Sequence, residues 1–210
     1  IFTKSSFTYK ECSNCLTIFV SPRPTKKMYD RYYRDSKSAN FWATDFYPLT
    51  AESRREKLWK PKVKLILNML KKNRANNYTI VEVGGGYGIF AEEIKKICSN
   101  KIILIEPSKS LANELKKKKI KVIEKFLEDI VISDLPKNKK LFICFELFEH
   151  LQSPEIFLKK LYKLMKKNEL LYFTTLSGTG IDIRTLWKNS QSVSPPHHIN
   201  FLNPNSVSMI

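Results

Sequence analysis

The chain of 210 residues is short of several things, and each shortage excludes something. No apolar run approaches the roughly 20 residues that a membrane-spanning helix needs. Cysteine occurs four times, at Cys12, Cys15, Cys98 and Cys144, too few and too scattered for a disulfide framework. Acidic residues number 20 against 37 lysines and arginines, which leaves a formal net charge of +17. Glycine occurs six times, and four of the six stand at Gly84, Gly85, Gly86 and Gly88. There is no internal repeat and no visible signal peptide, and a cytoplasmic location is expected. The first residue is Ile1 rather than Met, so the chain reads as a piece of a longer protein and a lost leader stays open.

What is present fits one α/β domain with a small appendage: 42% hydrophobic residues, with a mean hydropathy of -0.32. The positive charge invites a nucleic-acid reading. Against it, Lys greatly outnumbers Arg, and much of the charge lies in Lys116–Lys119 and at Lys71, Lys72, Lys139, Lys140, Lys166 and Lys167, which read as solvated faces and ends of helices. Nucleic-acid surfaces favour arginine and interleaved aromatics. A field of this size still attracts anions, so a nucleotide-linked or phosphorylated substrate is compatible with it.

Residues 79–88, Thr-Ile-Val-Glu-Val-Gly-Gly-Gly-Tyr-Gly, carry the strongest signal. A β-branched run with a carboxylate at Glu82 breaks into glycines, and an amphipathic stretch follows from Ile89 to Cys98. That order predicts a buried strand, a tight turn and a helix N-terminus, which brings backbone N–H groups against a nucleotide-like ligand. A dinucleotide turn, Gly-x-Gly-x-x-Gly/Ala, would put a small residue at position 89, where the chain has Ile89. Downstream, Glu106 closes a second apolar strand, Ile102–Ile105, about twenty residues beyond the turn, where a carboxylate can accept from ribose hydroxyls. Strands are expected at 79–83, 101–105, 121–123, 140–145 and 169–175, with helices at 87–98, 109–118 and 154–167. These make a Rossmann-like parallel sheet with helices on both faces.

The segment Glu82–Gly88 resembles the first motif of the class I S-adenosylmethionine (SAM)-dependent methyltransferases. The resemblance implies that Gly84, Gly85, Gly86 and Gly88 pass under the methionine part of SAM, with Glu82 the acid two positions before the first glycine. It makes Glu106 the ribose-binding acid and places adenine near Phe126 and Leu127, although a solvated helix end reads Lys125–Asp129 equally well. Cys144-Phe-Glu-Leu-Phe-Glu149-His150-Leu151 resembles the Glu-His-Leu signature of a bacterial branch that includes sugar methyltransferases. His150 is then the candidate base and Glu149 its helper, with a purely structural pair as the equal alternative. In Ser194-Pro-Pro-His197-His198-Ile-Asn-Phe201, the resemblance puts His197 and His198 over the acceptor pocket; two adjacent histidines lack the spacing of a metal site on one helix face, so acceptor contact is favoured over a metal, and a plain surface loop is the further alternative. The fold resembled adds two further strands ending in an antiparallel hairpin, before which this chain stops.

The remaining expectations concern residues 1–73. Residues 1–22 read as a hairpin with Cys12 and Cys15 at its tip, half of a four-thiolate zinc site whose other half is absent here. These cysteines are candidate ligands for structural zinc in the full-length parent. Cys98 and Cys144 read as buried small hydrophobes. Residues 23–73 form a linker and lid. Pro22–Pro24 lead to a helix from Lys26 to Arg34 capped by Thr25, then an aromatic-rich loop over 35–49. Tyr47 in that loop is a candidate acceptor contact, or a mere clamp on the core. A long helix from about Ala51 to Lys72 follows, with Leu58, Val63, Leu65, Ile66, Met69 and Leu70 as its core side and a kink at Pro61. The SAM-binding domain spans 74–210. The expected activity is methyl transfer to a small acceptor such as a sugar nucleotide or glycan precursor. RNA methylation, a basic nucleic-acid-binding module and an NAD-dependent oxidoreductase are the rivals.

Overall fold

The computed structural model describes residues 1–209; Ile210, the expected end of the α/β domain, lies outside the described residues. Three strands open the chain: β1 (Phe2–Lys4), β2 (Phe7–Glu11) and β3 (Ile18–Val20). Helices α1 (Lys26–Asp35), α2 (Lys37–Phe41), α3 (Tyr47–Arg54) and α4 (Lys60–Lys72) follow, with π-helical turns at Trp42–Phe46 and Arg55–Trp59. The chain then alternates β4 (Thr79–Val83), α5 (Ile89–Ile97), β5 (Ile102–Ile105), α6 (Lys109–Lys117), β6 (Val122–Ile123), β7 (Lys140–Phe145), α7 (Pro154–Leu164) and β8 (Leu170–Thr174). It closes with α8 (Ile181–Leu186), β9 (Asn200–Phe201) and α9 (Pro204–Ser208). Among the described residues no helix is long and apolar enough to cross a membrane.

The elements divide into two compact units. One comprises Asp30–Ile143 and Lys160–Tyr172, and holds most of a five-stranded parallel sheet in the order β6-β5-β4-β7-β8. Its strands are almost wholly apolar because helices cover such a sheet on both faces. Every residue of β4, β5 and β7 is buried. Central β4 pairs in parallel with β5 on one side and β7 on the other, so the strand order reverses beside it, where open α/β sheets bind ligands. Ser108 caps α6 by accepting from Leu111 N–H at 3.4 Å, and Lys116 and Lys117 sit favourably in its last turn.

The other unit comprises Ile1–Tyr29, Cys144–Lys159 and the described residues from Phe173 onward. Its antiparallel sheet runs β1-β2-β3-β9, so the expected hairpin is two strands richer than the local sequence indicated. Cys12 and Cys15 do lie in the turn between β2 and β3. β9 joins β3 across almost the full length of the chain, with Ile18 opposite Phe201. Tyr9 lies fully buried between Phe2 and Phe201, at ring distances of 4.9 and 6.0 Å. Its hydroxyl donates to His198 O at 2.7 Å.

Several local expectations are corrected. The aromatic stretch 35–49 is helical, not a loop: its π turn bonds Tyr47 N–H to Trp42 O and brings Trp42 against Phe46 (4.3 Å) and Tyr47 (5.7 Å). A turn bonded i→i+5 is wider than an α-turn and does not follow the 3.6-residue period by which a helix is read from sequence. The helix expected from Ala51 to Lys72 is interrupted at Arg55–Trp59, just before Pro61, whose missing N–H disrupts the ordinary ladder. Leu58 and Leu65 are 42% and 48% exposed rather than core, while Val63, Ile66 and Leu70 are buried. Cys98 is half-buried and donates to Asn100 Oδ1 at 2.6 Å, so it is not a plain core residue; Cys144 is. Lys140 is no solvated lysine. It begins β7 buried, with Nζ 2.6 Å from the buried Glu169 carboxylate, which also accepts from Lys140 and Lys166 N–H.

Removing one member of such a pair strands the other charge in the interior. Lys140→Met is expected to lower unfolding stability by about 3–5 kcal/mol in urea titration. A loss below about 1 kcal/mol would mean that water reaches Glu169.

Candidate functional site

The glycine turn leaves β4 and enters α5 within five residues. Gly84 N–H donates to Ile105 O at 2.8 Å, which ties the turn to the end of β5. Gly86 has φ +54°, and its N–H donates to Glu106 Oε2 at 3.1 Å. Gly88 caps α5 with φ +77°, and a Cβ there would stand 2.4 Å from Leu115 Cδ2. No other residue type satisfies both the backbone and the space at that position.

Two buried carboxyl groups flank this turn. Glu106 accepts from Gly86 N–H through Oε2 and from Ser108 N–H through Oε1, at 2.9 Å. Burial still pushes it up to about 7, against those two bonds. Glu82 is 2% exposed, and its Oε2 has no hydrogen-bond partner among the described residues. Burial, reinforced by the nearby Glu106, pushes Glu82 up to about 8. An orphaned buried acceptor is a cost that a ligand with donors relieves. A carboxylate has about four lone-pair sites, so Glu106 also keeps capacity for hydroxyl donors beyond its two backbone bonds. These acceptors fit a ligand that carries ribose hydroxyls and an ammonium group.

Tyr47 belongs with this turn. Its ring stacks on Tyr87 at 5.8 Å and 12°, its hydroxyl lies 3.6 Å from where a Gly86 Cβ would stand, and the Arg54 guanidinium lies 5.7 Å from its ring centre. Burial raises its phenol. Tyr87 is held in turn by Lys118, whose Nζ lies 3.3 Å from the ring centre and donates to Tyr87 O at 2.7 Å. Nothing in the spacing of the sequence pairs Tyr47 with Tyr87. Of the expected adenine contacts, Leu127 is buried and begins a 3-10 turn, while the Phe126 ring faces the Arg34 guanidinium at 4.9 Å.

A second cluster lies in the unit that holds the antiparallel sheet. Beyond β7, Glu146 has φ +47°, which is unusual for a non-glycine residue, and a 3-10 turn then presents Glu149 and His150. His150 Nδ1 lies 3.1 Å from His197 O, and its ring centre 4.8 Å from that of His198. His198 Nδ1 lies 2.6 Å from Ser192 O. Glu149 accepts from Thr175 Oγ1 at 2.8 Å. Burial and the other two histidines push His150 down to about 3; burial pushes His197 down to about 4 and also lowers His198. Burial pushes Glu149 up to about 7. The carboxylate, not the imidazole, is therefore the stronger proton acceptor of the pair.

The backbone holding this cluster is pinned by residues that sequence reasoning passed over. Asn200 Nδ2 donates to Phe148 O and Leu151 O at 3.1 and 2.6 Å, and Asn200 Oδ1 accepts from Arg23 at 2.6 Å. Arg23 also donates to Gln152 O at 2.9 Å, so the Pro-Arg-Pro stretch is a clamp as well as a linker. Cys12 and Cys15 are unpaired by any disulfide, and N–H groups of Cys15 and Asn14 lower the Cys12 thiol. They offer two ligands where structural zinc takes four.

A family model described as "Methyltransferase domain" matches residues 51–208, and the chain belongs to that family, with the class I SAM-dependent fold. Among solved structures, it is similar to a SAM-dependent methyltransferase from Thermotoga maritima described as a possible histamine N-methyltransferase. That match has 19% identity, covers 81% of this chain and 76% of the other, and has a TM-score of 0.60. The magnesium protoporphyrin IX methyltransferase of Synechocystis, solved with bound S-adenosylhomocysteine, aligns at 10% identity over 87% and 85% of the two chains, with a TM-score of 0.60. A SAM-dependent methyltransferase described only by class, from Methanococcus maripaludis, aligns at 15% identity over 60% and 61%, with a TM-score of 0.50. The chain thus spans about three-fifths of the length of that last relative. No curated protein matches it by sequence.

The raised carboxyls have a sign that can be tested. Glu82 titrates near 4.5 when unfolded and near 8 when folded, so the folded state binds the extra proton between those values. Stability is therefore greatest below pH 4.5 for this group and falls as pH rises towards 8. Glu82→Gln should melt higher than the parent at pH 8, with the gain shrinking towards pH 5. An identical pH profile for the two proteins would show that Glu82 is not a buried, unpartnered acid.

Proposed function

We propose that this chain transfers a methyl group from SAM to a small acceptor of the sugar-nucleotide or glycan-precursor kind. The observation that carries the reading is the pair of buried carboxyls at the glycine turn, one of them with an orphaned oxygen. In this reading Gly84, Gly85, Gly86 and Gly88 let the backbone approach the methionine part, and Glu82 faces its ammonium group. Glu106 holds the ribose hydroxyls, Phe126 and Leu127 flank the adenine, and Tyr47 lies over the turn. When bound, SAM supplies an electrophilic sulfonium methyl.

The protein's own work is to position the acceptor and remove its proton. Glu149 and His150 are assigned to that proton, and His197 and His198 to contact with the acceptor. The excess positive charge of the chain favours an anionic acceptor, in keeping with a nucleotide-linked sugar. The Glu-His-Leu segment and the Pro-Pro-His-His loop support the sugar-type branch. Structural zinc at Cys12 and Cys15 belongs to the same reading only if two further ligands come from outside this chain.

Calorimetry with SAM, S-adenosylhomocysteine and NAD on one sample tests the cofactor. The first two should bind and NAD should not; the reverse pattern overturns the proposal. Glu106→Ala should weaken SAM binding about 10- to 100-fold, the value of one charge-assisted hydrogen bond. His150→Ala should lower kcat about 10²- to 10⁴-fold while SAM affinity stays put. An unchanged kcat would leave His150 a structural residue.

A further inference from the structure

We propose that Glu149, His150 and His198 form a binding site for a divalent transition-metal ion. Each residue offers one ligand atom, and the three atoms lie within 4.8 Å of one another. Ligands held about 2.1 Å from a tetrahedral ion are separated by about 3.4 Å, so the cluster needs to close by little more than an ångström to grip one.

The surroundings resemble those of a metal centre more than those of a loose histidine cluster. Nδ1 of His150 faces His197 O at 3.1 Å, and Nδ1 of His198 faces Ser192 O at 2.6 Å. A carbonyl accepts only, so each Nδ1 carries its proton and each ring has its lone pair at Nε2. Metal-ligating histidines are oriented by the same kind of bond from the second ring nitrogen. Glu149 is likewise supported, with Thr175 Oγ1 on its carboxylate at 2.8 Å and Ile199 N–H on its backbone oxygen at 2.8 Å. The backbone between is fixed by Asn200. Glu146, with its left-handed φ, is the strained residue that leads into the cluster.

Two imidazoles and one carboxylate suit zinc, iron(II) or manganese(II) better than magnesium or calcium, which prefer oxygen throughout. Three protein ligands leave a coordination position open, the arrangement of a working site rather than a structural one. If the methyltransferase reading holds, the open position suits an acceptor hydroxyl, because coordination lowers the pKa of a bound O–H. Glu149 and His150 then hold the ion that makes the acceptor acidic instead of taking its proton themselves, and the proton released from the coordinated hydroxyl passes to solvent. This extension rests on that reading; the metal site itself does not.

The test is zinc titration of the chelator-stripped chain by calorimetry, paired with the absorption spectrum of the cobalt(II) form. Cys12 and Cys15 could bind zinc independently, so the measurement is made on the Cys12→Ser/Cys15→Ser chain. One equivalent should bind, with a cobalt spectrum free of thiolate charge-transfer bands. His198→Ala should weaken binding about 100-fold or more, and the near-isosteric Glu149→Gln should weaken it while keeping the parent's thermal melt. No zinc binding in the cysteine-free chain, or binding indifferent to both substitutions, overturns the site. SAM calorimetry on the same samples keeps the two questions apart: zinc binding with no SAM binding would leave the metal site standing and remove the methyltransferase reading.

Discussion

Two carboxyl groups shut into the end of a parallel sheet, without enough donors to satisfy them, are the constraint around which the glycine turn is organised. A buried acid is tolerated when it is neutral or when something donates to it. Glu106 takes two backbone N–H bonds and still stands near 7, and Glu82 has one oxygen with none. The glycines follow from the same constraint. Gly86 must turn its N–H towards Glu106 at a left-handed φ, and Gly88 must let α5 begin hard against Leu115. A protein that needed only a tight strand-to-helix turn could close it with apolar residues and avoid the cost of both acids.

The other unit solves a different problem, that of fixing a short segment beyond β7 that has little regular structure of its own. It does so with bonds from far along the chain. Asn200 takes the carbonyls of Phe148 and Leu151, Arg23 takes Gln152 O and Asn200 Oδ1, and β9 joins β3. The 3-10 turn at Phe148–His150 is thereby held by the first and last parts of the sequence together. Side chains positioned in this way are sensitive to substitutions far from them in sequence.

The sheet strands were legible because their signal is local: short, largely apolar runs such as Thr79–Val83 and Lys140–Phe145 have few other stable fates. The glycine turn was legible because glycine is otherwise so rare in this chain. Hidden from sequence was whatever depends on pairing across distance or on an unusual period. The π turns bond i→i+5 and depart from the α-helical period, so the Trp42–Tyr47 stretch shows no α-periodicity. β9 is two residues long and has meaning only beside β3. Lys140 looked like one more solvated lysine because its partner, Glu169, is 29 residues away.

The acid–base assignments illustrate the same limit. By residue type, histidine is the natural base near neutral pH and glutamate its orienting partner. Three histidines crowded into one half-buried cluster reverse that order, because burial disfavours a proton on all three, His197 and His198 disfavour it further on His150, and His198 does so on His197. Neutral imidazoles make poor proton carriers and good ligands. The grouping that weakens His150 as a base is thus the grouping that gives the cluster an affinity for a cation. A carboxylate beside it, raised by its own burial, is what a bound cation would bring back to full charge.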